Sequence, residues 1–176
     1  MTTALDTSPL ARLFAGGGHN RLLILGAQPA GLTIPDTAHF PLVAQLLRRG
    51  EPAVPGHCLA DPERLPFIEA LFDRLLVTTP LPAADARAEL RELWRIMAPA
   101  ALALLIVKAR RPWQFSASGW LEDDLKTALD AAMFEALDWR FEVLPDRHHL
   151  VLVAKRDGLR AAPIGRVETA VVTASA

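Results

Sequence analysis

The chain has 176 residues, 51 % apolar and 22 % charged, as in one ordinary folded domain with room for a proper core. Nineteen basic and twenty acidic side chains leave a net charge of −1 without like-charge blocks, so nothing supports nucleic-acid binding driven by phosphate contacts. The single cysteine, Cys58, excludes an intrachain disulfide and a thiolate metal cluster.

Residues 1–20 read as a flexible segment ending in Gly16-Gly17-Gly18-His19-Asn20, with no basic-then-apolar secretory pattern. Residues 21–26 (RLLILG) form a continuous apolar run stopped by glycine, which predicts a strand buried on both faces. Pro35-Asp36-Thr37 offers a helix start, Phe40, Val43, Leu46 and Leu47 repeat at helical spacing, and Gly50 is a stop. A helix over that stretch is therefore expected. Residues 51–60 (EPAVPGHCLA) have room for at most a short strand near residues 57–60. Residues 61–71 read as a loop or short helix, and residues 72–79 (FDRLLVTT) as a second buried strand.

Residues 84–97 give the clearest helix, with Leu90, Leu93, Trp94 and Met97 on one face. A third buried strand follows over residues 102–108 (LALLIVK). After a loop carrying Trp113 and Phe115, residues 121–132 read as another helix. Residues 137–144 and 148–155 read as an antiparallel strand pair turned at Pro145-Asp146-Arg147. The longest apolar stretch, residues 97–107, falls short of the roughly 20 residues of a membrane-spanning helix. A cytoplasmic location is expected.

Strands alternating with helices, closed by a strand pair, predict an α/β fold. The expected architecture is a Rossmann-like doubly wound sheet, mostly parallel, with an antiparallel pair at its C-terminal edge. It would be a shortened three-layer α/β/α domain over residues 21–156, followed by an irregular tail over residues 157–176. Such sheets bind ligands where the strand order switches, at the carboxyl ends of the strands.

Four segments there carry a resemblance. Residues 22–31 read LLILGAQPAG, residues 61–77 read DPERLPFIEALFDRLLV, residues 90–99 read LRELWRIMAP before LALLIV, and Met133-Phe134 precede the strand pair. Order and spacing together resemble the type 11 group of class I S-adenosylmethionine-dependent methyltransferases. The resemblance implies that Gly26, Ala27 and Gln28 hold the methionine end of S-adenosylmethionine. It implies that Asp61, Arg64 and Leu65 lie at the adenine, and that Thr78 and Thr79 face a small-molecule acceptor. A loop Asp that caps its own turn and strand-end threonines bonded to backbone are the bland alternatives. No catalytic residue and no metal site is implied. His148 and His149, adjacent on a strand, point to opposite faces and make no ligand pair.

The chain departs from the family pattern in three places. Gln28 and Ala30 replace two motif glycines, with Pro29 stiffening the turn, and Ile24 stands where an acidic residue is usual. Between the expected helix and Asp61 only residues 51–60 remain, too few for strand, helix and strand. Glu51 is the only carboxylate there, with no strand pattern ahead of it, so the ribose anchor is expected to be absent. Its loss would cost about 1.5–3 kcal/mol of binding. Alanines after Pro99 replace glycines, a change read as harmless to the fold, and Cys58 reads as a small buried hydrophobe.

Two functions stay open: a methyltransferase acting on a small molecule, and a non-catalytic derivative that regulates or scaffolds another enzyme. A homodimer or another protein partner is compatible with either. Nicotinamide dinucleotide binding is disfavoured, because neither G-x-G-x-x-G nor its downstream acid is present.

Overall fold

Continuous apolar runs set between glycine and proline breaks build the sheet of this protein, seen here in a computed structural model. The structure describes residues 8–15, 18–29, 31–52, 54, 57–84, 86–110, 119–144 and 148–157. The Trp113 and Phe115 loop, Ala30, the turn at Pro145-Asp146-Arg147 and the tail after Asp157 lie outside them.

The strands are β1 (Arg21–Leu25), β2 (Leu42–Arg48), β3 (Cys58–Ala60), β4 (Phe72–Leu81), β5 (Met97–Lys108), β6 (Phe134–Leu144) and β7 (His148–Lys155). Helices α1 (Ser8–Phe14), α2 (Ala86–Ile96) and α3 (Glu122–Ala131) complete the described elements. The strands form one sheet in the order β3-β2-β1-β4-β5-β7-β6. β1 to β5 run parallel, and β7 lies antiparallel to both β5 and β6. The expected doubly wound sheet with an antiparallel C-terminal pair is what forms.

Two apolar layers sandwich it. On one face Leu23, Leu25, Leu75, Val77, Ala103 and Leu105 meet Leu90 and Leu93 of α2 and Leu125 and Leu129 of α3. On the other, Leu22, Ile24, Leu76, Leu104 and Ile106 meet Leu10, Leu13 and Phe14 of α1, with Leu32 and Phe40. Each fully buried leucine contributes about 1.5–3 kcal/mol. Asp73 fixes the start of β4 against β1, accepting the backbone N–H of Arg21 at 2.9 Å and its Nε at 3.0 Å.

Three sequence readings are corrected. The helix expected after Pro35 is a strand: β2 pairs in parallel with β1, Leu22 opposite Val43 and Leu25 opposite Leu46. Leu46 and Leu47 are buried, while Leu42 and Val43 stay exposed, so the apolar positions mimic a helical stripe over a half-covered strand. Among the described residues, neither the β1–β2 nor the β2–β3 crossover carries a helix. Residues 8–14, read as part of a flexible segment, form α1, which buries Leu10 and Leu13. Cys58 is exposed on β3 rather than buried.

Three described residues other than glycine hold positive backbone angles: Ala70, Ala100 and Met133. Ala100 has φ 58° and Met133 has φ 64°. Met133 follows the C-cap of α3, where glycine is the favoured residue, and its carbonyl accepts the N–H of Arg156. Ala100 carries a similar left-handed angle within β5, which forms through it. Met133→Gly is expected to raise stability by about 0.5–1 kcal/mol, relief of left-handed strain outweighing glycine's extra unfolded freedom. Thermal unfolding would read this as an increase of about 1–4 °C, and a lower midpoint would refute it.

Candidate functional site

The order switches between β1 and β4, because the chain adds β2 and β3 on one side of β1 before returning to its other side. The carboxyl ends of β1, β2 and β4 meet there. Gly26 leaves β1 with φ 106°, its N–H donating to Leu46 O at 2.8 Å. A Cβ on it would lie 2.8 Å from Thr79 N and 2.9 Å from Thr78 Oγ1, and would run into Thr79 Oγ1. Glycine is thus required by the neighbouring strand itself, before any ligand is considered.

Glu51 reaches into this junction. Gly50, with φ 97°, turns the chain after β2, and Glu51 donates its N–H to Arg48 O at 3.0 Å. Glu51 Oε2 accepts the N–H of Ala27 at 3.1 Å and that of Arg48 at 2.8 Å. Glu51 Oε1 accepts the hydroxyl of Thr79. The carboxylate therefore joins the ends of β1, β2 and β4. Thr78 is buried, and its hydroxyl donates to Leu25 O at 3.0 Å.

The other sequence-predicted residues split away from this cluster. Gln28 turns along its own loop, Nε2 donating to Leu32 O at 2.6 Å. Asp61 follows β3, one strand beyond Glu51, and caps its own turn: Oδ1 accepts Glu63 N–H at 3.1 Å and its carbonyl accepts Arg64 N–H at 3.0 Å. Asp61 and Arg64 are exposed, whereas Leu65 is buried.

The loop after β3 is stapled to α2 by two residues that sequence reasoning passed over. Glu92 Oε1 accepts Leu65 N–H at 2.8 Å. Arg95 donates to Phe67 O at 2.9 Å and Leu65 O at 3.3 Å, while pairing with Glu92. Those bonds from Arg95 hold the Glu92 carboxyl below its ordinary range. Arg48 and Glu89 also went unremarked. They form a buried ion pair between the end of β2 and α2, 8 % and 2 % exposed. Burial pushes the Glu89 carboxyl up, and Arg48 works against it.

His148 and His149 lie in register with Lys108 and Val107, on the antiparallel side of the sheet. No group of three or more His, Cys, Asp or Glu that could hold a metal occurs among the described residues. No helix among them is long and apolar enough to cross a membrane.

No protein-family profile matches the chain, and no curated protein matches it. Solved structures do. The Burkholderia thailandensis 1,6-didemethyltoxoflavin-N1-methyltransferase, with bound 1,6-didemethyltoxoflavin and S-adenosylhomocysteine, is similar at TM-score 0.62 and 18 % identity. That match covers 89 % of this chain and 80 % of that one. A match to the complex of the Haloferax volcanii Trm112 methyltransferase activator and a putative methyltransferase has TM-score 0.62 and 16 % identity, covering 86 % and 88 %. An S-adenosylmethionine-dependent methyltransferase from Mesorhizobium loti matches at 0.59 and 13 %, covering 87 % and 99 %. Together with the strand order and the antiparallel β7, these likenesses show that the chain has the class I S-adenosylmethionine-dependent methyltransferase fold.

Proposed function

We propose that this methyltransferase-like chain binds an S-adenosyl nucleoside, S-adenosylmethionine or S-adenosylhomocysteine, at the carboxyl ends of β1, β2 and β3. The observation that carries this is the placement of Glu51 after β2, one strand from Gly26. The expected absence of a ribose anchor rested on the absence of that strand. A carboxylate there has the acceptor capacity to take both hydroxyls of a ribose. Asp61 and Arg64, exposed on the next loop, supply an adenine side, and Glu92 with Arg95 hold that loop in place at the buried Leu65 and at Phe67.

The fit is good at the nucleoside end and poor at the methionine end. Gly26 and Ala27 offer a tight turn, but no helix N-terminus follows among the described residues to favour the amino-acid carboxylate. When bound, the cofactor would supply the methyl group on its sulfonium. The chain's own share is to bind and orient, and transfer of this kind depends chiefly on proximity. The Thr78 hydroxyl is committed to Leu25 and that of Thr79 to Glu51, so Thr79 faces an acceptor in this reading only once it releases Glu51.

A second reading, the non-catalytic regulator or scaffold, is favoured by the Thr79 side chain over Gly26, which fills space a methionine moiety would use. Calorimetric titration separates the two. Micromolar binding of S-adenosylmethionine or S-adenosylhomocysteine is the expected result. Silence at millimolar concentrations of both would leave only the second reading.

A further inference from the structure

We propose that Thr79 is a latch on the nucleoside site: its hydroxyl occupies the Glu51 oxygen that a ligand diol would use, and must release it for binding. The inference rests on the proposed nucleoside reading.

Glu51 has three donors, and they are not equivalent. The N–H groups of Ala27 and Arg48, both on Oε2, belong to the backbone: Ala27 lies just past β1, and Arg48 ends β2 opposite Ala60 of β3. The third donor, on Oε1, is a side-chain hydroxyl. It can turn away by rotation about one bond, which no backbone amide can do. The same side chain stands over Gly26, where even a methyl group would collide with it. One threonine therefore closes the junction twice, holding the carboxylate and filling the space above the glycine.

A ligand with vicinal hydroxyls would take over Oε1 while the two amides continue to hold Oε2. The closed population lowers apparent affinity by the fraction of molecules that are open. Thr79→Val removes the donor, and because a methyl group cannot sit at hydrogen-bond distance from Oε1, the side chain turns away and frees that oxygen. Thr79→Ser keeps the hydroxyl and serves as the comparison.

The test is calorimetric titration of the full chain and both variants with S-adenosylhomocysteine, beside amide exchange of the ligand-free proteins. Thr79→Val is expected to bind about threefold to tenfold more tightly than the parent, the range of one ordinary hydrogen bond. Thr79→Ser is expected to show none of that gain. Without ligand, the Ala27 and Arg48 amides are expected to exchange several-fold faster in Thr79→Val. Equal binding by the parent and Thr79→Val would overturn the latch and leave the nucleoside site standing. Unchanged amide exchange would likewise show that Thr79 does not hold Glu51. No binding by any of the three at millimolar ligand would overturn the nucleoside reading and the latch with it.

Discussion

Gly26→Ala is expected to destabilise the chain by about 2–5 kcal/mol. Two costs add. The backbone at φ 106° is outside the range that a residue with a Cβ adopts readily, a cost of roughly 1–2 kcal/mol or more. The new methyl would also meet Thr78 Oγ1 and the Thr79 backbone, and overpacking of a closed site costs about 1–3 kcal/mol. The Thr79 backbone nitrogen has little room to retreat, because Val77 and Leu81 on either side of it are paired with β5. Urea unfolding at constant slope would show the loss as a lower midpoint. A change under about 0.5 kcal/mol would mean that the junction is looser than its geometry, and would remove the basis for a closed site above Gly26. The pair Gly26→Ala with Thr79→Gly should recover part of the loss, since the side chain in the way is then gone.

Breaking the Arg48–Glu89 pair is expected to cost as much. Arg48→Met leaves Glu89, 2 % exposed on α2, without its cation, and such losses run to about 3–5 kcal/mol. The double variant Arg48→Met with Glu89→Leu should lie close to the parent, because apolar side chains of similar volume need no compensation. The pH dependence has a definite sign. The folded Glu89 carboxyl sits above its unfolded value of 4.5, chiefly through burial, with Arg48 opposing the rise. A group raised on folding contributes stability that is complete below the unfolded value and is lost as pH climbs through the folded one. Without Arg48 the folded value rises further. Arg48→Met should thus be less destabilised at pH 5 than at pH 8, as read by denaturant titration at both. A larger deficit at pH 5 would contradict the assignment.

Most of the sheet was legible because its central strands are buried on both faces. β1 and β5 are near-continuous apolar runs, β4 carries Leu75 to Val77 between polar positions, and β7 carries Leu150 to Val153 between its polar ends. β2 was not, for a physical reason. Leu42, Val43, Leu46 and Leu47 satisfy a helical repeat, and no alternation corrects it, since only the second half of the strand is covered. What decides for a strand is the open edge of β1, which needs a partner for its backbone groups, and no local propensity encodes that. A parallel pairing of Arg21 with Leu42 joins residues separated by a whole crossover.

The site divides in the same way. Gly26 and the two threonines could be named from their places at strand ends. Glu51 escapes assignment as long as the stretch before it reads as a helix, even with Gly50 as its stop. Its bonds to Ala27 and Thr79 span 24 and 28 residues, beyond what spacing along the chain reveals. The cost of Met133 was hidden because only the folded backbone shows that this position has φ 64°.

Cys58 has a use that follows from its surroundings. It is the only thiol in the chain and stands exposed on the outermost strand, three residues before Asp61. A maleimide fluorophore would therefore attach at one defined point, beside the loop proposed to take adenine and outside the buried layers. Its emission would follow the arrival of a nucleoside in real time, without an added tag or a substitution in the junction itself.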